Sequence, residues 1–389
     1  MKLFNLKSLY DNYLGNLLIF TLLFYLFTSF LIKFFKLFYD VNLILPILAI
    51  LKLILIIFYL GVLIFNFNKK KILFLYLGLF LIVYFAGNFN WNLDINFVFN
   101  SYEILKGGNF FYLIKYLFPF FLTAAFSFVK NKQEVINNYF EILEKVLVVN
   151  SFFVFFGFLF SVDFFQSYIN TSRFGYSGML EAGFYEYLLI VVISRKLFLD
   201  KIDLKLVVLC IASLFIGTKI MILFFVVLIF YYLYEKRKIK LLVLYSGLVL
   251  LSLILLKSII DLFVKVFPFW QPILNDHGYL TLIVSKRNWN IQNTLEYIKI
   301  NGTLKNLFFG GLEFSKCGVE MDFIDLFLFF GIIGATIYLV LISKIINKSY
   351  HLIPLITAFF SGDFLLSTIT IFTYFIWMYE SHKERKGLF

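Results

Sequence analysis

The sequence predicts an all-α polytopic membrane protein of about twelve transmembrane segments with two larger outer loops. Three observations lead there. Hydrophobic residues fill 62% of the 389 positions and charged residues only 15%, whereas a soluble domain of this length carries more charge. Apolar runs long enough to cross a hydrocarbon core of ~30 Å recur along the whole chain, so this is not one anchor on a soluble body. Basic residues gather in the connections between the runs, and the formal net charge of +12 therefore points to cytoplasmic loops before it points to nucleic acid.

The apolar runs and their polar flanks place spans at 14–32, 41–67, 72–86, 109–129, 146–161, 183–198, 205–217, 220–234, 240–260 and 323–343. MKLFNLK leads into the first run with no small-residue cleavage site, so a retained first span is expected. Lys69–Lys71, Lys130 with Lys132, Arg195 with Lys196, Lys236–Lys240, and Lys344 with Lys348 all face the cytoplasm on one alternating path whose N-terminus is inside. Lys33 and Lys36 fall outside on that path. The basic tail Ser381–Phe389 belongs inside, so 352–379 must go out and return as two short helices turning near Ser361-Gly362-Asp363. Only Thr218 and Lys219 separate 205–217 from 220–234, and at ~1.5 Å per residue the first run is too short for a full crossing. The Gly217-Thr218-Lys219 turn is thus expected below the outer surface, against protein or a wet cavity.

The outer loops run over about 162–182 and 261–322. In the longer one, Ile291, Leu295 and Ile298 share a helical face, which predicts an amphipathic helix on the membrane. Residues 132–145 look similar on the inner side. There is no long-period repeat, no P-loop and no GxGxxG. Cys210 falls in a span and Cys317 in a loop, which argues against a disulfide, and no metal-ligand spacing occurs.

Ionisable side chains at membrane depth are costly, which makes each a candidate for function. Lys52 and Lys115 lie within spans. Snorkelling explains Lys52 adequately, and Lys115 stands evenly between snorkelling and function. More informative are Arg173, Glu181, Glu186, Lys219, Arg287, Glu320, Asp322, Asp325 and Asp363, which the predicted topology puts on one outer side. The plain reading of any one of them is a solvated loop charge. As a set they resist it, because Glu186, Lys219 and Asp363 fall inside apolar runs. Such a mixture suits a large anionic, hydroxyl-rich substrate: Arg grips phosphate oxygens bidentately, Lys adds a point charge, and a carboxylate accepts the proton of an attacking hydroxyl. His277, beside Gly278, is a weaker candidate base, since a loop His next to Gly is usually plain surface.

Several stretches resemble the O-antigen polymerase and O-antigen ligase superfamily of bacterial envelope polysaccharide synthesis. Ser172-Arg173-Phe174-Gly175-Tyr176-Ser177-Gly178 resembles the Arg/Gly-rich segment of its first large outer loop, and Ile216-Gly217-Thr218-Lys219 its short turn. Ser285-Lys286-Arg287 with Trp289, followed by Phe308-Phe309-Gly310-Gly311, resembles its second large loop. Val319-Glu320-Met321-Asp322 before Gly331-Ile332-Ile333-Gly334 resembles the exit into the next span. These stretches cover most of 170–340, while 1–150 agrees only in hydropathy. The ligases carry a His-Asn pair where this chain has Glu320-Met321-Asp322, so the acidic version resembles the Wzy-type polymerases. Some polymerases repeat an Arg, ten residues and a Gly in both loops; here Arg173 meets Gly183 one position early and Arg287 has no matching Gly.

The resemblance implies a glycosyltransferase of a bacterial inner membrane with its site facing outward. Its substrate would be an oligosaccharide on undecaprenyl pyrophosphate, the growing chain passing to the non-reducing end of a new lipid-linked unit. Arg173, Lys219 and Arg287 would meet the pyrophosphate, and Glu320 or Asp322 would serve as base. Glu181, Glu186 and Asp363 would contact the glycan. Membrane lipids and a chain-length regulator are the other implied partners, with no cofactor, metal or nucleic acid. A lipid-linked oligosaccharide flippase is the main rival, disfavoured because transporters often show related halves and small outer loops. A ligase and a non-catalytic scaffold are the others.

Overall fold

The computed structural model of the chain describes residues 6–66, 71–88, 109–169, 173–266, 270–285 and 287–381. They are helical throughout and form no strand, only an isolated bridge between Gln166 and Tyr176. In chain order the helices are α1 (Leu6–Phe38), α2 (Val41–Phe65), α3 (Lys71–Asn88), α4 (Asn109–Ser127), α5 (Lys132–Phe160), α6 (Ala182–Phe198), α7 (Leu204–Leu214), α8 (Lys219–Glu235) and α9 (Ile239–Ile254). They continue as α10 (Leu256–Val266), α11 (Gln271–Ile283), α12 (Arg287–Asn301), α13 (Leu304–Phe309), α14 (Phe314–Cys317), α15 (Asp322–Ile345), α16 (Leu352–Phe359) and α17 (Thr368–Glu380).

Among the described residues five helices are long and apolar enough to cross a membrane: 13–38 of α1, 42–65 of α2, α4, α5 and α15. The pair α9 and α10, bent by 68°, makes a sixth if counted as one span. The all-helical, membrane-resident class is therefore the one the sequence predicts.

Several boundaries differ from the expected ones, each for a physical reason. The stretch 132–145 is not a separate surface helix; it is the first half of α5, continuous to Phe160. The polar residues that mimic a boundary, Glu144, Asn150 and Ser151, are buried and paired inside the protein. The expected span 240–260 breaks at Leu255, and α9 buries none of its residues. The first helix continues through Lys33 and Lys36 to Phe38. The stretch 352–379 does divide into two short helices, joined through 360–367. At eight residues, or ~12 Å, α16 is too short to cross a bilayer alone.

Two compact units make up the chain. The first comprises Met1–Lys70, Phe118–Phe225 and Ser367–Phe389; the second comprises Lys71–Leu117 and Val226–Leu366. The first is held by aliphatic and aromatic packing studded with buried hydroxyl pairs. Tyr59 meets Thr21 at 2.9 Å, Tyr139 meets Thr373 at 2.8 Å and Tyr185 meets Ser151 at 2.9 Å. Between apolar helices, where lipid competes equally for apolar surface, such bonds fix which faces meet. The second unit packs around the rings of Phe80, Tyr116, Phe329, Phe330 and Tyr338.

Glycines set the closest crossing of the second unit. Gly310, Gly311 and Gly331 have φ of 72°, 86° and 64°. A Cβ on Gly310 would strike the carbonyl of Phe329, and one on Gly331 the backbone of Phe308 and Phe309. Gly331 breaks α15 at this point. The Phe308–Gly311 and Gly331–Gly334 stretches, expected from sequence in a loop and in the following span, thus come together as a backbone-on-backbone contact.

Candidate functional site

The nine charged candidates fall in two clusters, one in each unit. In the first unit, the helix directions collect the residues of the expected outer loop at one pole. Here α5 ends, the 3-10 turn Asp163–Phe165 follows, and 173–181 leads into α6. The segment bearing Arg173 packs directly on the turn before Lys219. Tyr176 N–H donates to Phe215 O at 2.7 Å, and Ser167 Oγ donates to Ile216 O at 2.9 Å. Gly175 (φ 150°) and Gly217 (φ 76°) allow the approach, since a Cβ on either would meet the other segment's backbone. The guanidinium of Arg173 lies 3.7 Å from the centre of the Tyr168 ring, a stacking that pre-orients it. Two motifs 40-odd residues apart in sequence therefore present Arg173 and Lys219 from adjoining backbone. Ser172 lies outside the described residues.

Lys33 and Lys36 prove to be part of this pole. Lys33 is buried, and its ammonium donates to Ser177 Oγ and Gly178 O at 2.7 Å and to Leu180 O at 3.3 Å. Lys36 pairs with Glu181. Buried Asn150 of α5 clasps the same loop, donating to Ser177 O and accepting from Met179 N–H, both at 2.8 Å. The two lysines, which fall outside the expected basic side, thus attach the 177–181 loop to α1. Glu186 is buried near the start of α6. Glu181 is accordingly an ion-pair partner and not a free acid.

The opposite pole of this unit carries an ion network. Arg195, buried over the Phe140 ring, donates to both oxygens of Glu380 at 2.7 and 2.8 Å and to Glu144 at 3.2 Å. Lys196 pairs with Glu144 and with Asp203, both at 2.9 Å. Burial pushes the Asp203 carboxyl up, but the bonds from Lys196 and from Leu206 N–H outweigh it and hold the group below its usual range. Reading Arg195 and Lys196 only as a topology signal misses these partners. Asp203 is only seven positions from Lys196, but Glu144 and Glu380 lie 52 and 185 positions from their cations, beyond the reach of any local pattern.

In the second unit, Arg287, Glu320, Asp322, Asp325 and Asp363 gather at the N-terminal end of α15. Asp325 accepts Val319 N–H at 2.7 Å and Met321 N–H at 2.9 Å, the two amides flanking Glu320. Glu320 is left exposed with φ 62°, an unusual conformation for a residue with a side chain. Its carbonyl accepts Arg287 Nε at 2.7 Å. Asp322 is fully buried; its N–H donates to Ser361 O at 3.0 Å and its Oδ2 accepts Phe364 N–H at 3.0 Å. Its Oδ1 has no partner among the described residues. Gly362 lies flat on the Glu320 backbone, where a Cβ would come within 2.7 Å of Glu320 Cα. Beside it, Asp363 is exposed at φ 82°.

The helix expected over the Ile291 region is α12. Its inward face is set by Thr294, which donates to Cys317 O at 3.0 Å, and by Asn290, which reaches Val319 O at 3.5 Å. That docking holds Arg287 beside Glu320 and leaves Leu295 exposed. Burial pushes the Cys317 thiol up to about 12. Among the charges expected within spans, Lys52 lies 5.2 Å from the Tyr25 ring and Lys115 lies 5.1 Å from the Tyr112 ring. The side chain of His277 lies outside the described residues; its backbone precedes Gly278, where α11 breaks.

A missed residue here is Asn109. Buried at the start of α4, it donates to Asn88 and to Leu312 O and accepts from Phe314 N–H. A lone Asn at the mouth of an apolar run was the available signal.

Among the described residues no group of three or more His, Cys, Asp or Glu side chains is arranged to hold a metal ion. Chemically, the second cluster offers an exposed carboxylate on a rigid turn, a guanidinium anchored by one nitrogen with its fork remaining, and a fully buried acid behind them. No family model, no curated protein and no solved structure matches this chain.

Proposed function

We propose that the chain is a membrane glycosyltransferase, a polysaccharide polymerase of the Wzy type. It joins oligosaccharide units carried on undecaprenyl pyrophosphate at the outer face of a bacterial inner membrane. The observation that carries this reading is the pairing of Glu320 and Arg287. Two backbone bonds from Asp325 hold Glu320 exposed in a left-handed conformation, and Arg287 is anchored on the carbonyl of that same residue.

In the proposed reaction a hydroxyl at the non-reducing end of the acceptor unit attacks the anomeric carbon of the donor chain. The new C–O bond forms as the bond to pyrophosphate breaks. The hydroxyl proton passes to the Glu320 carboxylate, and undecaprenyl pyrophosphate leaves with both electrons of the broken bond. The fork of Arg287 meets the charge developing on the leaving oxygens. Asp325 and Asp322 act on the shape of the turn, since both oxygens of Asp325 and the Oδ2 of Asp322 are engaged with backbone amides. Arg173 and Lys219 are proposed to bind phosphate or glycan in the first unit. The path of twelve segments with the N-terminus inside belongs to this proposal, as does a chain-length regulator as partner.

The test is in vitro polymerisation of purified lipid-linked repeat units. Glu320→Gln is expected to lower the rate about 100-fold, the ordinary scale of a lost general base, while the protein stays monodisperse and unfolds at the wild-type temperature. A full rate in Glu320→Gln would remove the base from this turn. In cells, deletion is expected to abolish long polymer while single repeat units still reach the outside; loss of those units would make the chain a flippase.

A further inference from the structure

The second unit contains a cleft that the charged residues do not use. It has a volume of about 460 Å³ and lies between α15 and α16. Leu339, Ile342 and Ile346 wall one side and Leu355 and Phe359 the other; Ser343 is the one hydroxyl among its lining residues. α15 is one of the helices long and apolar enough to cross a membrane, and in the proposed topology a cleft along it lies against hydrocarbon. Water there would find only the Ser343 hydroxyl, short of the two or more partners it needs, and an empty cleft would forfeit dispersion contact along its walls. A hydrocarbon chain is the occupant that costs neither.

Which chain it holds follows from where the cleft ends. Phe323 and Phe359 close one end, their rings 5.9 Å apart. Phe323 directly follows Asp322, and Phe359 and Phe360 directly precede Ser361, whose carbonyl accepts Asp322 N–H. A chain lying along α16 therefore brings its head to the turn of Glu320, Gly362 and Asp363, where, among the described residues, the Arg287 guanidinium is bound through Nε alone. The fork that remains matches phosphate oxygens. Apolar walls leading to a phosphate-binding cation describe an amphiphile with a phosphorylated head.

We propose that this cleft seats the head-proximal part of the polyprenyl chain of the lipid-linked substrate, with its phosphate at Arg287; the choice of a polyprenyl carrier rests on the polymerase reading. The length of α16, ~12 Å, limits the seat to the first few isoprene units, and the rest of the chain runs on into lipid.

The experiment places the photoreactive p-benzoylphenylalanine at Phe359, where one aromatic side chain replaces another, and separately at Leu250, an exposed position of α9. The protein is held in phosphatidylglycerol nanodiscs containing a minor fraction of polyprenyl monophosphate, then irradiated and its adducts weighed. Polyprenyl adducts are expected at 359 and phospholipid adducts at 250, with Arg287→Ala cutting the 359 polyprenyl adduct at least tenfold. Phospholipid alone at 359, or equal polyprenyl capture at both positions, overturns the proposal. A 359 adduct insensitive to Arg287→Ala overturns the assignment of the head. Polymerisation assayed on the same unirradiated preparation separates the two readings. Polymer with only phospholipid at 359 sinks the cleft and leaves the polymerase, whereas polyprenyl at 359 without polymer does the reverse.

Discussion

The ammonium of Lys33 is surrounded by oxygen from a single loop: Ser177 Oγ, Gly178 O and Leu180 O. Nothing within a helical turn of Lys33 announces this, because the acceptors lie 144 to 147 residues away. By sequence the residue is only a misplaced positive charge. The same blindness hides Glu144 and Glu380 from Arg195, whereas the acids at 320, 322, 325 and 363 stood out because polar groups interrupt apolar runs there. Removing the Lys33 donor breaks three buried bonds, each normally worth about 1 kcal/mol and more where it strands its acceptor, as at Gly178 O; Ser177 Oγ and Leu180 O keep the bond between them at 2.8 Å. Lys33→Met is therefore expected to cost on the order of 3 kcal/mol and to open 177–181 to limited proteolysis, with Lys33→Arg milder. Unfolding in detergent measures the first effect and the cleavage pattern the second. Wild-type values for both in Lys33→Met would mean that Asn150 and the Lys36–Glu181 pair hold the loop unaided.

At the scale of elements, hydropathy located α2, α3, α4 and α6 to within a few residues, and the polar turn before Lys219 marked the α7–α8 junction. It failed where tertiary packing decides. The polar interruption within α5 is satisfied by partners on other elements, so the helix does not end there. The break at Gly331 falls inside a run of unbroken hydropathy, and the one at Leu255 comes two residues before Lys257, inside what reads as a single span. Gly331 shows the cause: its φ of 64° and its contact with Phe308 and Phe309 depend on the distant Gly310. Gly310→Ala would combine an unfavourable positive φ with overlap on the Phe329 carbonyl. It is expected to destabilise by more than about 2 kcal/mol. Gly61→Ala is the matched control, since Gly61 lies within α2 with nothing within 4 Å of an added Cβ. There a neutral effect or a gain of about 0.5–1 kcal/mol is expected in thermal unfolding. Equal midpoints for the two variants would show that the Gly310 crossing is loose enough to absorb a methyl group.

At the scale of the whole molecule, the first unit tests the predicted sidedness internally. Gly15 of α1 lies against Val135 of α5, while Lys33 of α1 reaches the loop beyond the end of α5. The two helices are thus parallel, and α6 returns to set Arg195 against Glu144 and Glu380. The basic groups assigned to the inside, Lys132, Arg195 and Lys196, therefore share one pole, and the loop bearing Arg173 occupies the other. Agreement between two separate basic clusters, Lys132 and the Arg195-Lys196 pair, is a physical argument for orientation, because each is its own application of the charge rule. It predicts which surface a membrane-impermeant thiol reagent will reach. Cys210 and Cys317, both free, are first replaced by Ser. Cysteines at Asp163 and Asn293, both exposed, are then expected to label in cells whose outer membrane alone is permeabilised, and cysteines at Lys201 and Lys238 only after lysis. Each unit contributes one outward position and one inward position, so each reports its own orientation. Labelling of Lys201 and Lys238 in unlysed cells, with Asp163 and Asn293 silent, would invert the chain. It would put Glu320 and Arg287 on the cytoplasmic face, where the proposed outer-leaflet reaction has no substrate.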